Sequence, residues 1–288
     1  MALCMLTGPG TIIQPCNIGL LDLAPTKNDE LYIHQSNDDN RLFFYGDFSG
    51  FHSYLIVTHT KFRVIPESVK RTGYDCFQAR IYFEDEDGNS VAQVVNFTSP
   101  LFPIRSVVAC KYGRDFDSFE LGLYDGQVSQ KFACNLLFIS SYAADLEAPI
   151  PVKVEYIGMA AKNGRTAQER LGEGHYKLQT VLGELDDRDL FRGVSIILYK
   201  PGELDCKEIE FPKVVETLEA SLIQHFKPRP LNVEQLDFPN NRTKLTSMLK
   251  RVGANKIISH IESPSNTSLY SDHMPQPQQE HIIRLTVP

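Results

Sequence analysis

The sequence predicts a mixed α+β protein, β-rich in its first part and built of alternating short strands and helices in its second. Three observations carry this expectation. Residues 30–124 hold short runs of Val, Ile, Thr, Tyr and Phe, partly alternating with polar residues and separated by turn formers. From residue 131 onward, apolar residues begin to recur at three- and four-residue steps. Finally, 288 residues that are 42% hydrophobic and 23% charged can bury a sizeable core, as one large or two medium domains. The expected division is a β-rich domain over 1–130, an α+β domain over 131–261 and a Ser/Pro/Gln-rich extension over 262–288.

In the first part, Arg41–Tyr45, Ser53–Ile65, Cys76–Phe83 and Ser90–Phe97 read as strands. The last two form a hairpin across Glu84-Asp85-Glu86-Asp87-Gly88-Asn89, where Asp-Gly supplies a positive φ and the carboxylates keep the turn in water. These acidic residues do not make a calcium loop, because the distant Glu of that pattern is missing. Gly126–Lys131 is the expected domain boundary. Beyond it, Leu136–Ser140, Val152–Ile157 and Val194–Tyr199 read as strands, and His175–Leu185 and Pro212–Phe226 as helices. In the second helix Val215, Leu218, Leu222 and Phe226 form one apolar stripe, which Pro228 and Pro230 end. The tail from Glu262 to Gln279 reads as loop, and the closing His-Ile-Ile-Arg-Leu-Thr-Val as a final strand.

No run approaches the roughly 18 consecutive apolar residues of a membrane span. Nor does a basic segment precede an apolar core at the N-terminus, so a soluble cytoplasmic protein is expected. The six cysteines show neither C-x-x-C pairs nor zinc spacing and read as free thiols of a reducing compartment. A Gly-rich phosphate loop, a G-x-S-x-G elbow and an H-E-x-x-H pair are all missing from the sequence.

One constellation bears chemistry. Tyr156-Ile157-Gly158 ends a strand, Arg170 and His175 follow in a polar segment, Glu219 sits in the helix Leu-Glu-Ala-Ser-Leu-Ile-Gln-His-Phe, and Asn232 closes Phe-Lys-Pro-Arg-Pro-Leu-Asn. In this order and context, residues 134–235 resemble the GIY-YIG nuclease superfamily. The resemblance implies a small antiparallel sheet of three strands flanked by helices, and an endonuclease that hydrolyses nucleic-acid phosphodiesters with one divalent cation, Mg²⁺ or Mn²⁺. It further implies that Glu219 holds the metal through oxygen, that Arg170 places a permanent positive charge beside the phosphate, and that Tyr156 or His175 orients or deprotonates the water. Arg165 competes with Arg170 for its role, and Asn232 is expected to lock the backbone or bind the substrate. The chain departs from the family at the first motif. Where Gly-Ile-Tyr is expected it reads Leu137-Phe138-Ile139-Ser140-Ser141-Tyr142, so Gly is missing and Tyr142 is the candidate for the displaced tyrosine. The alternative is a degenerate module of the same fold that binds nucleic acid or protein without cleaving.

Charge bears on the partner. The formal net charge of −7 argues against a polyanion only if it is evenly spread. Residues 1–130 contain 10 basic and 16 acidic residues, whereas 131–288 contain 19 and 20. Between Phe226 and Lys256 stand Lys227, Arg229, Arg242, Lys244, Lys250, Arg251 and Lys256 against Glu234 and Asp237. Lys227 and Arg229 are therefore expected to contact a phosphate backbone, of DNA in preference to RNA. The first domain is expected to serve a protein partner, target recognition or restraint. If it shields the basic segment, removing 1–130 should strengthen binding.

Overall fold

The computed structural model describes residues 2–7, 10–15, 21–23, 50–84, 90–100, 103–112, 115–123, 129–146, 148–161, 164–172, 175–188, 192–204, 209–228, 230–240 and 244–288. In chain order these form β1 (Ala2–Thr7), β2 (Thr11–Pro15), β3 (Leu21–Leu23), β4 (Ser53–Thr60), β5 (Arg63–Arg71), β6 (Cys76–Glu84), β7 (Ser90–Thr98), β8 (Ile104–Tyr112), β9 (Asp115–Leu123), β10 (Ser129–Ala133), α1 (Leu136–Tyr142) and β11 (Ile150–Met159). The chain continues through α2 (Ala167–Gly172), α3 (Tyr176–Arg188), β12 (Arg192–Tyr199), β13 (Pro201–Leu204), α4 (Phe211–Phe226), α5 (Lys244–Arg251), β14 (Lys256–Glu262), β15 (Thr267–Tyr270) and β16 (Glu280–Thr286). The protein is mixed α+β, with more strand than helix.

Two compact units interleave along the chain. The first comprises Met1–Thr58, Pro151–Asp187 and Val194–Pro288, and the second His59–Ile150 and Arg188–Gly193. The boundary expected at Gly126–Lys131 gives way to β10, which starts at Ser129 and pairs antiparallel with β9 inside the second unit. The segment Arg41–Tyr45 lies outside the described residues.

In the first unit a six-stranded sheet runs in the order β15-β11-β4-β12-β2-β3, and a four-stranded sheet in the order β13-β1-β14-β16. β4 and β11 pair antiparallel, Ile56 opposite Tyr156 and Tyr54 opposite Gly158, with a register shift between Val154 and Tyr156. One sheet face carries Tyr54, Ile56, Val194, Ile196 and Leu198, and α2 and α3 cover it with Ala167, Leu171, Leu178 and Val181. Burying such a face removes large apolar areas from water, worth about 25 cal/mol for each Å². In α4, Val215, Leu218, Leu222 and Phe226 are all buried, as the stripe predicts.

The tail is more ordered than its composition suggests. β16 pairs with β14 along its whole length, and Ser271 Oγ donates to the Phe226 carbonyl at 2.6 Å. Thr267 Oγ1 closes a turn onto the Pro264 carbonyl at 2.6 Å. Ser, Thr and Pro here are turn chemistry between strands rather than a loose extension.

The second unit contains two three-stranded antiparallel sheets, β5-β6-β7 and β10-β9-β8. The expected strand Ser53–Ile65 breaks at Lys61–Phe62 into β4 and β5, and the predicted hairpin is β6–β7, closed by Glu84 opposite Ser90. Its core is aromatic. Phe77 stacks on Phe97 with centroids 4.9 Å apart, Phe119 lies 5.1 Å from Phe77, and Phe138 lies 5.5 Å from Phe119. Phe138 belongs to α1, so Leu136–Ser140 is helix where strand was expected. An unbroken apolar run does not by itself distinguish the two. Asn135 decides it, because its side chain accepts the Phe138 N–H at 2.9 Å and caps the helix.

Candidate functional site

The site forms on the β4–β11 pair. The register shift before Tyr156 is a bulge, and it sets Tyr156 on the same face as Tyr54, packed against the core that Tyr54 helps form. The ring centroids of Tyr54 and Tyr156 are 6.3 Å apart. Gly158 stands opposite Tyr54. A Cβ there would lie 2.5 Å from both Cζ and Oη of Tyr54 and 2.8 Å from Cε1 of Tyr156, so only glycine leaves room for both rings.

The start of β4 also positions the next element. His52 Nδ1 donates to the carbonyls of Ala160 at 2.7 Å and Arg165 at 3.1 Å, and the Phe51 carbonyl accepts from the Ala167 N–H at 2.8 Å. The turn after β11 is thereby tied down before α2 begins. Thr166 and Glu169 then cap α2 reciprocally, with the Thr166 N–H donating to Glu169 Oε2 at 2.7 Å and the Glu169 N–H to Thr166 Oγ1 at 3.3 Å. The helix delivers Arg170, whose charge acts on the Tyr54 hydroxyl. Arg170 rather than Arg165 therefore joins the tyrosines. Burial works against its charge, but Tyr54, Tyr156 and Glu219 hold it more firmly ionised than an ordinary arginine.

His175 begins α3. Its Nδ1 accepts the Leu178 N–H at 3.2 Å, so the neutral ring carries its proton on Nε2, which lies 2.6 Å from the Tyr54 oxygen and donates to it. Burial, with the charges of Arg170 and Lys177, pulls the imidazole down to about 4, so it is neutral at pH 7. Both ring nitrogens are engaged. In this arrangement His175 holds the Tyr54 hydroxyl.

Tyr54 is fully buried, which pushes its phenol well above the usual range. Its oxygen accepts from His175, Arg170 favours the ionised form, and the Tyr156 ring stands 6.3 Å away. Half-buried Tyr156 is the outer end of this chain. Burial and Glu219 raise its phenol, with Arg170 and the bond from Tyr54 opposing.

Glu219 comes from α4, and the Met159 backbone, one residue beyond Gly158, favours its ionised form. Burial above all, then the carboxylates of Glu216 and Glu234, push its carboxyl up to about 7, against Arg170. Asn232 fixes the motif strand from below, with Oδ1 accepting the Ile157 N–H at 2.9 Å and Nδ2 donating to the Ile157 carbonyl at 2.9 Å. It locks the backbone, and its amide is committed there rather than to a substrate.

Tyr156, Arg170, His175, Glu219 and Asn232 thus stand together, as the sequence reading expects. Tyr142 belongs to the other compact unit. It ends α1 in the second unit, its ring 5.1 Å from Phe138. The tyrosine facing Tyr156 is Tyr54, which lies in His52-Ser53-Tyr54, so the glycine of a Gly-Ile-Tyr motif is missing here as well. The signal available in the sequence was a strand tyrosine in Ser-Tyr-Leu-Ile-Val, nearly a hundred residues upstream of the place where the spacer of the family directs attention. Lys227 is the left-handed cap of α4, with φ 44°. Arg229 lies outside the described residues. No protein-family model, curated protein or solved structure matches the chain.

Proposed function

We propose that this protein is a metal-dependent endonuclease of the GIY-YIG type whose first-motif tyrosine is Tyr54. The observation that carries the reading is the convergence of two tyrosines, an arginine, a histidine and a glutamate from β4, β11, α2, the start of α3 and α4 into one electrostatically coupled cluster. Hydrolysis of a phosphodiester needs a positioned water, neutralisation of the anionic transition state and help for the leaving oxygen. Arg170, held ionised, meets the phosphate charge. Tyr156 faces the water, and the donors behind it on Tyr54 support negative charge arriving at its oxygen.

Glu219 suits a hard divalent cation. A half-buried carboxylate raised by desolvation and two neighbouring carboxylates is one whose ionised form such a cation stabilises. Among the described residues no three His, Cys, Asp or Glu side chains gather as a ligand set. Glu219 would thus be the principal protein ligand of a Mg²⁺ or Mn²⁺ that keeps several waters. When bound, the cation supplies charge neutralisation and a water of lowered pKa.

A second reading, a catalytically degenerate nucleic-acid-binding module, is favoured by the complete burial of Tyr54 and by the missing first-motif glycine. The test is incubation of the full chain with labelled single- and double-stranded DNA and RNA in Mg²⁺ or Mn²⁺. The endonuclease reading expects cleavage that EDTA abolishes and that Glu219→Gln or Arg170→Ala lowers by about 100-fold or more. Binding without cleavage selects the second reading, and neither binding nor cleavage overturns both.

A further inference from the structure

In the first unit the sheet β13-β1-β14-β16 ends in β16, and no described strand pairs with its outer edge. The hydrogen bonds at the two ends of the β14–β16 ladder fix which residues face that edge. The Ser263 N–H donates to the Gln279 carbonyl at 2.7 Å and the Val287 N–H to the Asn255 carbonyl at 3.0 Å. In an antiparallel ladder the backbone groups then alternate, so Glu280, Ile282 and Arg284 turn their N–H and C=O outward. At Gln278 the edge closes, because its N–H and carbonyl both pair with Leu269. The side chains of Glu280, Ile282 and Arg284 are exposed as well. Ile282 keeps 45% of its surface in water, at the centre of an edge where a charge would discourage pairing. Charge is polarised along the edge. At one end Glu280 stands opposite Glu262, and His260 Nε2 lies between them, 2.8 Å from Glu280 and 3.8 Å from Glu262. At the other end Arg284 precedes Thr286, which stands opposite Lys256. Arg284 makes no ion pair among the described residues.

We propose that this edge takes a second copy of the chain, β16 pairing antiparallel with its own copy about a two-fold axis at Ile282. Such an interface must be self-complementary, and this edge is. With the axis at Ile282, the outward N–H and C=O groups of Glu280, Ile282 and Arg284 all meet outward groups of the other copy, as a ladder requires. Glu280 of each copy then falls opposite Arg284 of the other, so the ion pair forms twice, and the exposed Ile282 packs on its counterpart. Moving the axis to Ile283 keeps the backbone matched but sets Ile282 beside Arg284 and Glu280 beside Thr286, so charge selects the register. The second oxygen of Glu280 remains for the arginine while the first faces His260. The pairing stops where Gln278 is already engaged with Leu269, which makes the contact short and the dimer a weak one that depends on concentration. The interface is independent of whether the Tyr54 cluster cleaves nucleic acid.

The test is sedimentation velocity of the full-length protein over about 1–100 μM, the range in which a small interface dissociates. The native chain should pass from monomer to dimer as concentration rises. Arg284→Glu sets carboxylates opposite each other and Glu280→Arg sets cations opposite each other, so each should raise the dimer dissociation constant about tenfold or more. Mixed in equal amounts, the two variants should associate as the native chain does, because every reversed charge then meets its opposite. The double variant Glu280→Arg with Arg284→Glu should associate by itself for the same reason. Melting temperatures should hold, because both side chains are exposed. Should Glu280→Arg lose its fold with the His260 contact, Arg284→Glu decides alone. A native chain that stays monomeric at the highest concentration, a dimer that Arg284→Glu leaves unchanged, or folded single variants that stay monomeric when mixed overturns the inference.

Discussion

Gly158 and Tyr54 are the most tightly matched pair in the molecule's candidate site. Gly158→Ala places a methyl group 2.5 Å from the phenol carbon and oxygen of Tyr54, and the buried ring has nowhere to retreat. Overpacking of this kind costs about 1–3 kcal/mol. Urea unfolding should show a lowered midpoint for Gly158→Ala, and much of the loss should vanish when Tyr54→Ala is combined with it. An additive double mutant would mean that the two residues do not share this space. Asn232 shows the same economy with polar atoms, since one side chain satisfies both the N–H and the carbonyl of Ile157. The types and order of Tyr156, Arg170, His175, Glu219 and Asn232 were legible in the sequence because all five fall within one stretch of the chain, in the order in which the motif presents them. What His175 does was not legible, because it depends on the Leu178 N–H fixing which ring nitrogen carries the proton.

At the scale of elements, the hidden residue was Tyr54. Its strand pairs with β11, yet the whole run from β5 to α1 intervenes. Closing so long a connection costs little more than closing a short one, about 0.6 kcal/mol for each doubling of length. Chain distance is therefore a poor guide to which strands meet. The apolar run Leu136–Ser140 was misread for a different reason: its length and hydrophobicity fit either a buried strand or a buried helix, and the deciding bond comes from Asn135, outside the run. Helix α4 was read correctly because its stripe and its terminating prolines agree. Its cap makes a further prediction. Lys227 has φ 44° and ψ 54°, a left-handed conformation that glycine adopts without penalty. Lys227→Gly should raise stability by about 1 kcal/mol in denaturant titration. The same variant should bind oligonucleotide more weakly if the lysine charge meets phosphate, whereas unchanged binding would confine its role to the cap.

For the whole molecule, buried histidines set the response to acid. His59, His175 and His225 are each pulled to about 4, chiefly by burial. Between an unfolded value near 6.5 and that level the unfolded chain binds the extra protons, so stability falls as pH falls through this window. Glu219 acts in the opposite sense: its raised value near 7 makes the folded state the better proton binder between 7 and 4.5. His281 is lowered by burial as well, so four groups against one leave a net loss, each contributing up to about 1.4 kcal/mol per pH unit. Melting temperature should therefore drop steadily from pH 6.5 to 4.5, and a flat or rising profile would contradict the assignment. The interleaved units also revise the expected truncation. Removing residues 1–130 takes away β1, β2 and β4 with Tyr54, so a 131–288 fragment should lack cooperative unfolding in circular dichroism rather than show strengthened binding. A cooperative melt from that fragment would refute this.

The parallel pairing of β1 with β14, Ala2 beside Lys256, has a consequence for how the protein is made. Strands β5 to β10 find all their partners within a contiguous stretch and can fold soon after leaving the ribosome. β1, by contrast, must wait for β14. At roughly 5–20 residues per second, that delay is on the order of tens of seconds during which β1 has an open edge. An edge left open for that interval is a site for wrong pairing until β14 covers it.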